Sequence, residues 1–242
     1  QAVQSEVNKV ELKYSSKLIT DTSDFEEMLR VLSGQKVISL KLFVDYKNAM
    51  NSTIYGVALG YNSAYSYDEK LQYNGESALT EAFYIPLNHS LENQLVQQVV
   101  FDGLRPIFED NSIKKFVHDA KIEACVLNKL GIDLRGVIFD TMLACYIKNS
   151  NANSAFDIQC MEQINHILPT ILSGSKNSSI ADNDISAVKA YVGDVIASLF
   201  ELTNYWSNSL DENELKKYLD IFDIELIEKR EIIRFEHKKN YY

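Results

Sequence analysis

The sequence has few of the residues that define disulfide-rich, collagen-like or low-complexity proteins. It contains three cysteines, three prolines and nine glycines among 242 residues. The cysteines, Cys125, Cys145 and Cys160, are odd in number and lack CxxC spacing, which argues against a disulfide framework or a zinc site. This pattern favours a reducing compartment, so we expect a cytoplasmic protein in which the cysteines act as small core residues.

Long apolar runs and secretion signals are also missing. No apolar run approaches the length of a membrane span, so we expect no membrane association. The N-terminus lacks the charged, apolar and small-residue order of a signal peptide. Because the chain starts at Gln1 rather than at a methionine, we expect a fragment of a longer protein.

Basic residues are scarce relative to acids. The 24 lysines and arginines face 34 aspartates and glutamates, which gives a net charge of -10. A broad basic surface that grips DNA through its phosphates is therefore excluded, and any DNA contact should be local or supplied by a partner. The chain also lacks the P-loop, GxGxxG, GxSxG and HExxH motifs, which removes the enzyme classes that depend on them.

What the chain does contain is an alternation of strand and helix patterns with enough apolar residues for one core. β-branched and aromatic runs predict strands, and apolar residues at helical spacing predict helices. The expected architecture is a mixed sheet flanked by helices, with further helices at the C-terminus. Strands are predicted at 16–20, 36–45, 53–61, 82–85, 113–117 and 137–139, with a turn at 46–52. Helices are predicted at 21–33, 91–108, 142–148, near 156–168, 185–207 and 212–233, and a further helix follows the strand 113–117 and ends at residue 130.

The segment 115–150, KFVHDAKIEACVLNKLGIDLRGVIFDTMLACYIKNS, carries the most information. It resembles the second motif region of the 3'-5' exonuclease domain in bacterial family A DNA polymerases of the polymerase I type. There a strand, a helix, a G-I-x-L-x-G turn and an F-D-T-M helix start follow in this order. The resemblance implies an α/β fold of the RNase H-like (DnaQ-like exonuclease) type. In active members four carboxylates hold two divalent cations about 4 Å apart.

The first of the family's acidic motifs has no acids here. Tyr55 to Leu59 resembles the family's second strand, and an ungapped count back from it puts the acidic pair near Leu40 and Leu42. Neither side chain can bind a metal. The nearest acid, Asp45, is followed by Tyr46 and Lys47 and is interpreted as a solvated turn residue.

The second motif keeps its frame. Glu123 stands where the family has a metal-binding aspartate, so it is the best remaining candidate for a metal ligand, and the plainer interpretation is a partly exposed helix glutamate. Asp119 stands where the family usually has asparagine. His118, alone at a strand end, is expected to be a surface or hydrogen-bonded residue. Asp140 of F-D-T-M is expected to cap the following helix rather than to act as a catalytic acid.

The third motif is predicted to be lost. Aligning Asp194 and Val195 with the family's D-V puts Val192 at the position of the metal-binding aspartate. The alternative register from Tyr191 to Asp194 is one residue short, which turns the carboxylate by about 100 degrees on a helix.

These substitutions match polymerase I members of the degenerate Bacillus type, whose exonuclease domain is vestigial. We expect a weakly ordered segment at 1–15, an exonuclease-like domain at 16–207, and a helical segment at 208–242 that leads into a polymerase domain of the same polypeptide. The expectation is a monomer without a cofactor that meets DNA through its parent enzyme. One alternative is an active nuclease whose rearranged site binds Mg or Mn through Asp45, Glu123 and either Asp194 or Asp184. Another is a stand-alone interaction protein.

Overall fold

A computed structural model describes residues 12–45, 53–68, 70–73, 78–91, 93–171, 179–219 and 221. Helices and strands alternate along most of these residues, and residues 212–219 are also helical. The elements in chain order are β1 (Tyr14–Leu18), α1 (Thr22–Ser33), β2 (Val37–Val44), β3 (Ile54–Asn62), β4 (Tyr65–Asp68), β5 (Lys70–Tyr73), β6 (Thr80–Pro86), α2 (Gln97–Glu109), β7 (Lys114–Val117), α3 (Ala120–Lys129), β8 (Val137–Asp140), α4 (Thr141–Lys148), α5 (Phe156–Gln163) and α6 (Ile185–Ser209).

Six strands form one central sheet in the order β1-β6-β3-β2-β7-β8. β3 runs antiparallel to both of its neighbours, β2 and β6, whereas the pairs β1 with β6, β2 with β7 and β7 with β8 are parallel. The parallel neighbours β7 and β8 are connected through α3, as a parallel crossover requires. The predicted mixed sheet flanked by helices is therefore confirmed.

The long helix α6 lies against one face of this sheet, and two glycines allow the close approach. A Cβ atom added at Gly193 would lie 2.5 Å from Cε2 of Tyr14 on β1. One added at Gly60 on β3 would collide with the side chain of Ile196. The helix carries the third motif, so this contact places that motif beside the sheet.

Helix ends follow the sequence closely but not in every detail. Gly34 is the C-cap of α1, and Asp21 caps its start by accepting a hydrogen bond from the Asp24 amide at 2.9 Å. α2 begins only at Gln97, because Val96 is extended with ψ 132°. The predicted helix from residue 91 was therefore six residues too long at its start.

The β4–β5 hairpin was predicted as a loop. Its first residue, Tyr65, is buried, and the Tyr65 ring lies 5.7 Å from that of Phe116 and 5.1 Å from that of Phe200. The Tyr65 hydroxyl also donates to the Phe200 carbonyl at 2.9 Å. Tertiary packing of one tyrosine therefore stabilises a hairpin whose own sequence is polar.

Several predicted boundaries fall on residues that the structure does not describe. The N-terminal segment 1–15 is described only from residue 12, and Tyr14 and Ser15 already belong to β1. The predicted turn at 46–52 and the part of the predicted C-terminal helix beyond residue 221 lie outside the described ranges. Within those ranges, no helix combines the length and the apolar character needed to cross a bilayer.

Candidate functional site

The turn from β7 into α3 positions the second motif. β7 ends at Val117, and Asp119 caps α3 with φ 69°, a left-handed conformation that few residues other than glycine adopt. The Asp119 carboxylate accepts a hydrogen bond from the Ile122 amide at 3.2 Å. This turn places Glu123 in the first turn of α3, directed at the middle of the sheet.

Asp140 connects this turn to the next helix. Its carboxylate accepts hydrogen bonds from the amides of Met142 and Leu143 at the start of α4, at 2.9 and 3.4 Å. It also accepts from the amides of Asp119 and Ala120 at the start of α3, at 3.0 and 2.7 Å. Burial raises the pKa of Asp140, and these amides oppose the rise. The predicted capping role is confirmed, and one carboxylate serves two helix starts.

Glu123 is completely buried, so the expectation of a partly exposed helix glutamate was wrong. The Nζ of Lys41 donates to its Oε1 at 2.9 Å, and the Leu42 amide donates to its two oxygens at 3.2 and 3.0 Å. Burial raises the pKa of Glu123 to about 7, while Lys41 and the Leu42 amide act in the opposite direction. The carboxylate is buried because an internal cation accompanies it.

Alternation along β2 decides which side chains face Glu123. Lys41 points to Glu123, and its Nζ also donates to the carbonyl of His118 at 3.1 Å. Phe43 shares this face, with its ring 6.3 Å from that of Tyr191 on α6. Leu40 and Leu42, at 0% and 1% exposure, belong to the opposite face. The ungapped count put the acidic pair at Leu40 and Leu42, whereas the side chains on the face of β2 that meets Glu123 are those of Lys41 and Phe43.

His118 is hydrogen-bonded, as one of its two interpretations required, and it is buried rather than at the surface. Its Nδ1 lies 2.9 Å from Oγ1 of Thr141, and its ring packs edge-on against Phe156 at 5.0 Å. Burial, with the nearby charge of Lys41, lowers the pKa of His118 to about 3. The imidazole is therefore neutral at physiological pH and contributes no charge to the cleft.

In the third motif, an apolar side chain stands at the position that the sequence comparison assigned to the metal-binding aspartate. Val192 is fully buried on α6. Its neighbour Asp194 is also buried and pairs with Nε2 of His166 at 2.6 Å. Burial raises the pKa of Asp194, and His166 opposes the shift.

The remaining candidate acids occupy separate places. Asp184 is exposed and caps α6 by accepting from the amides of Ser186 and Ala187 at 2.9 and 3.2 Å. Asp45 follows the end of β2, where its own amide donates to the carbonyl of Thr53 at 2.9 Å. Each acid thus makes contacts different from those of Glu123.

The oxygen donors at this cleft do not fit a pair of divalent cations. Two such ions need several carboxylates around them. Across the described residues, no three His, Cys, Asp or Glu side chains lie together as a possible metal-binding group. The Glu123 carboxylate already has the Lys41 ammonium at hydrogen-bond distance.

A cavity of about 300 Å³ lies beside the third motif. It has apolar walls and one acid, and its lining consists of Phe156, Asp157, Leu168, Pro169, Thr170, Ile171 and Tyr191. Burial raises the pKa of the Tyr191 hydroxyl to about 12. None of the described residues that line this cavity is basic, so they offer a phosphate no cationic partner.

Sequence reasoning missed two residues of the site, Lys41 and His166. Lys41 had a detectable signal, since it is a single charge within the apolar strand VISLKLFV, and a charge in a buried strand needs a buried partner. His166 had none, because its partner Asp194 is 28 residues away across the loosest part of the sequence.

Comparisons with known proteins point to one family of polymerases. A family described as "DNA polymerase I, ribonuclease H-like domain" matches residues 41–168. DNA polymerase I of Synechocystis is 30% identical over 141 residues, which are 56% of this chain and 14% of that protein. DNA polymerase I of Borreliella burgdorferi is 20% identical over 233 residues, which are 95% of this chain and 23% of that protein. The chain thus spans less than a quarter of the length of these relatives.

Solved structures support the fold. Escherichia coli RNase D, described as an exoribonuclease involved in structured RNA processing, aligns with a TM-score of 0.57 and 16% identity over 88% of this chain and 50% of that one. A polymerase structure from M. smegmatis in complex with DNA primer-template and dNTP aligns with a TM-score of 0.54 and 16% identity, over 83% of this chain and 28% of that one. At these identities the likeness establishes the RNase H-like architecture alone.

Proposed function

The chain belongs to the family of DNA polymerase I, ribonuclease H-like domains, and we propose that it is a 3'-5' exonuclease domain that has lost metal-dependent proofreading. It serves as a structural module beside a polymerase domain of the same polypeptide. Through that parent enzyme it takes part in DNA replication and repair in the cytoplasm. DNA is met by the polymerase domain rather than by this cleft.

The observation that carries the proposal is the pairing of Glu123 with Lys41. Glu123 is the one acid at the second motif position, and its oxygens receive hydrogen bonds from an ammonium and an amide. The Lys41 ammonium lies 2.9 Å from Oε1 of Glu123. A pair of divalent cations bound to the same carboxylate would be repelled by this positive charge. Phe43 and Val192, on the facing elements, offer no oxygen.

The acidity of the chain supports the same conclusion. With a net charge of -10, the chain has no general attraction for single-stranded DNA. Among the described residues that line the cavity beside Tyr191 there is one acid, Asp157, and no base. An incoming 3' end would therefore meet negative charge without the cations that offset it in a working nuclease.

The decisive experiment is a nuclease assay on 3'-labelled single-stranded DNA with Mg²⁺ or Mn²⁺. We expect the wild type to leave the DNA intact, as Glu123→Ala does. Glu26→Ala, which changes an exposed acid on α1, is the matched control. Robust shortening from the 3' end that disappears in Glu123→Ala and persists in Glu26→Ala would sink the proposal. It would favour instead a rearranged site that uses Asp45, Glu123 and Asp194 or Asp184.

A converse experiment restores acids on β2. Leu40→Asp with Leu42→Glu should remain inactive, because those side chains lie on the face opposite to Glu123. Lys41→Asp with Phe43→Glu presents acids to the cleft but should also remain inactive, since Val192 still provides no oxygen from α6. Nuclease activity in the second double variant alone would show that the loss is confined to β2.

The structural role needs a separate test. We expect the reading frame of the parent gene to continue into a polymerase domain, as in the full-length relatives. We also expect the isolated chain to be a monomer by light scattering. A native reading frame that ends at Tyr242 would contradict the structural role and would support a stand-alone interaction protein.

A further inference from the structure

The surroundings of the Lys41 ammonium are those of a bound cation. Its Nζ lies 2.9 Å from Oε1 of Glu123 and 3.1 Å from the carbonyl oxygen of His118. A carboxylate and a backbone carbonyl are the oxygen ligands that hard cations take in proteins. The charge at this point is supplied by a side chain of the protein itself.

The carboxylate is held ready to receive a cation. The Leu42 amide donates to both oxygens of Glu123 and fixes the carboxylate plane. His118 is neutral, because its buried ring has a pKa lowered to about 3, so it does not compete as a cation. A completely buried carboxylate without a positive partner is strongly unfavourable.

The position is also reachable from solvent. The Lys41 side chain keeps 13% of its surface exposed, whereas Glu123 keeps none. Shortening Lys41 therefore opens a path to the Glu123 carboxylate rather than a sealed void. Water and small ions can enter along the space that the lysine stem occupied.

We propose that the Lys41 ammonium is a built-in substitute for a metal ion, and that removing it uncovers a site for one divalent cation at the Glu123 carboxylate and the His118 carbonyl. This inference rests on the proposed function, since it explains how the domain folds without metal. The site binds one cation, weakly, because two protein oxygens and water are its ligands.

The test compares the thermal stability of Lys41→Ala with that of the wild type, with and without MnCl₂. Without Mn²⁺ we expect the variant to lose roughly 10 °C in Tm, because Glu123 remains buried without its cation. With Mn²⁺ at about ten times its Kd the variant should regain roughly 3 to 5 °C, while the wild type should not respond. Electron paramagnetic resonance should count one bound Mn²⁺ in the variant.

Two controls isolate the cause. Lys17→Ala removes another lysine that pairs with an acid, Asp24, but at an exposed position, and it should show neither the loss nor the response to Mn²⁺. Adding Glu123→Gln to Lys41→Ala should abolish Mn²⁺ binding and recover part of the lost stability. Ethylammonium, which resembles the end of the lysine side chain, should stabilise Lys41→Ala as Mn²⁺ does.

Separate results would overturn this inference and the proposed function. An unchanged Tm of Lys41→Ala in Mn²⁺ would overturn the inference and leave the proposed function intact. If that variant does not fold, Lys41→Gln retains a hydrogen-bond donor to Glu123 without the charge, and a lack of Mn²⁺ stabilisation there overturns the inference equally. Two Mn²⁺ ions bound to the wild type, together with DNA degradation, would instead refute the proposed function.

Discussion

Two buried carboxylates lie near each other in sequence, at the starts of α3 and α4, yet they are stabilised differently. Asp140 accepts hydrogen bonds from four backbone amides, and within the described residues its carboxylate has no cationic partner. Glu123 accepts one amide and an ammonium. The first arrangement depends on backbone groups, and the second depends on a side chain.

This difference indicates which region depends on particular side chains and which does not. The donors to Asp140 are within 21 residues of it and belong to the backbone, which is unaffected by side-chain substitution. The donors to Glu123 come from a strand 81 and 82 residues away. Any change of side chain at Lys41 alters the cleft without disturbing the turns that make the fold.

The largest expected effect comes from Asp140→Asn. Asparagine keeps an oxygen for the three amides that bond Oδ1, but its NH2 group would face the Ala120 amide that bonds Oδ2. One charge-assisted hydrogen bond is therefore lost at roughly 2 kcal/mol and the other three lose their charge assistance, about 4 kcal/mol in total. Urea unfolding measures the change. Asp184→Asn, at the exposed cap of α6, should change stability by less than about 0.5 kcal/mol, because asparagine and aspartate cap equally well. Equal losses in the two variants would remove the contrast between the buried network and an ordinary cap.

The next effect is a pH dependence at Glu123. Because burial raises its pKa from 4.5 to about 7, the folded state binds the proton more tightly than the unfolded state. Protonated Glu123 therefore adds to the unfolding free energy below pH 4.5. This contribution, on the order of 3 kcal/mol, is lost as the pH rises through about 7. Glu123→Gln should flatten the pH profile of the unfolding free energy over this window. The exposed substitution Glu26→Gln should leave the profile unchanged, and a Glu123→Gln profile that parallels the wild type would contradict the assignment.

The smallest effect is expected for Tyr218→Phe. The Tyr218 hydroxyl accepts a hydrogen bond from the Asp140 amide at 2.6 Å, while its ring stacks on Phe139 at 5.2 Å. The variant keeps the ring and loses the acceptor, so we expect a loss of about 1 kcal/mol in chemical denaturation. Tyr146→Phe, which changes a half-exposed ring on α4, should be neutral. A neutral Tyr218→Phe would show that the Asp140 network does not depend on the C-terminal helical residues.

The parts of the fold that the sequence predicted are those governed by local patterns. The strand VISLKLFV and the helix start F-D-T-M were recognisable because their signals lie within a few residues. The β4–β5 hairpin was not, since Tyr65 is held by rings from β7 and α6, far along the chain. Hairpin pairing of a polar segment depends on such contacts more than on its own propensity.

The candidate site divides in the same way. The capping role of Asp140 followed from its position before Thr141, whereas the burial of Glu123 could not be predicted without knowing that β2 lies beside α3. The count along β2 placed the acidic pair at Leu40 and Leu42 and not on the face that Lys41 and Phe43 share. A shift of one residue is enough for this, because it exchanges the two faces of a strand. Lys41 was therefore passed over in favour of Leu40 and Leu42.

Tyr218 also affects how the sheet ends. β8 is the last strand of the sheet, and a strand with unpaired amides at an edge invites other chains to add to it. The Tyr218 hydroxyl occupies the Asp140 amide on that strand, and its ring covers Phe139. The helical residues 212–219 thus cover part of this edge, and we expect a chain shortened before them to self-associate through β8.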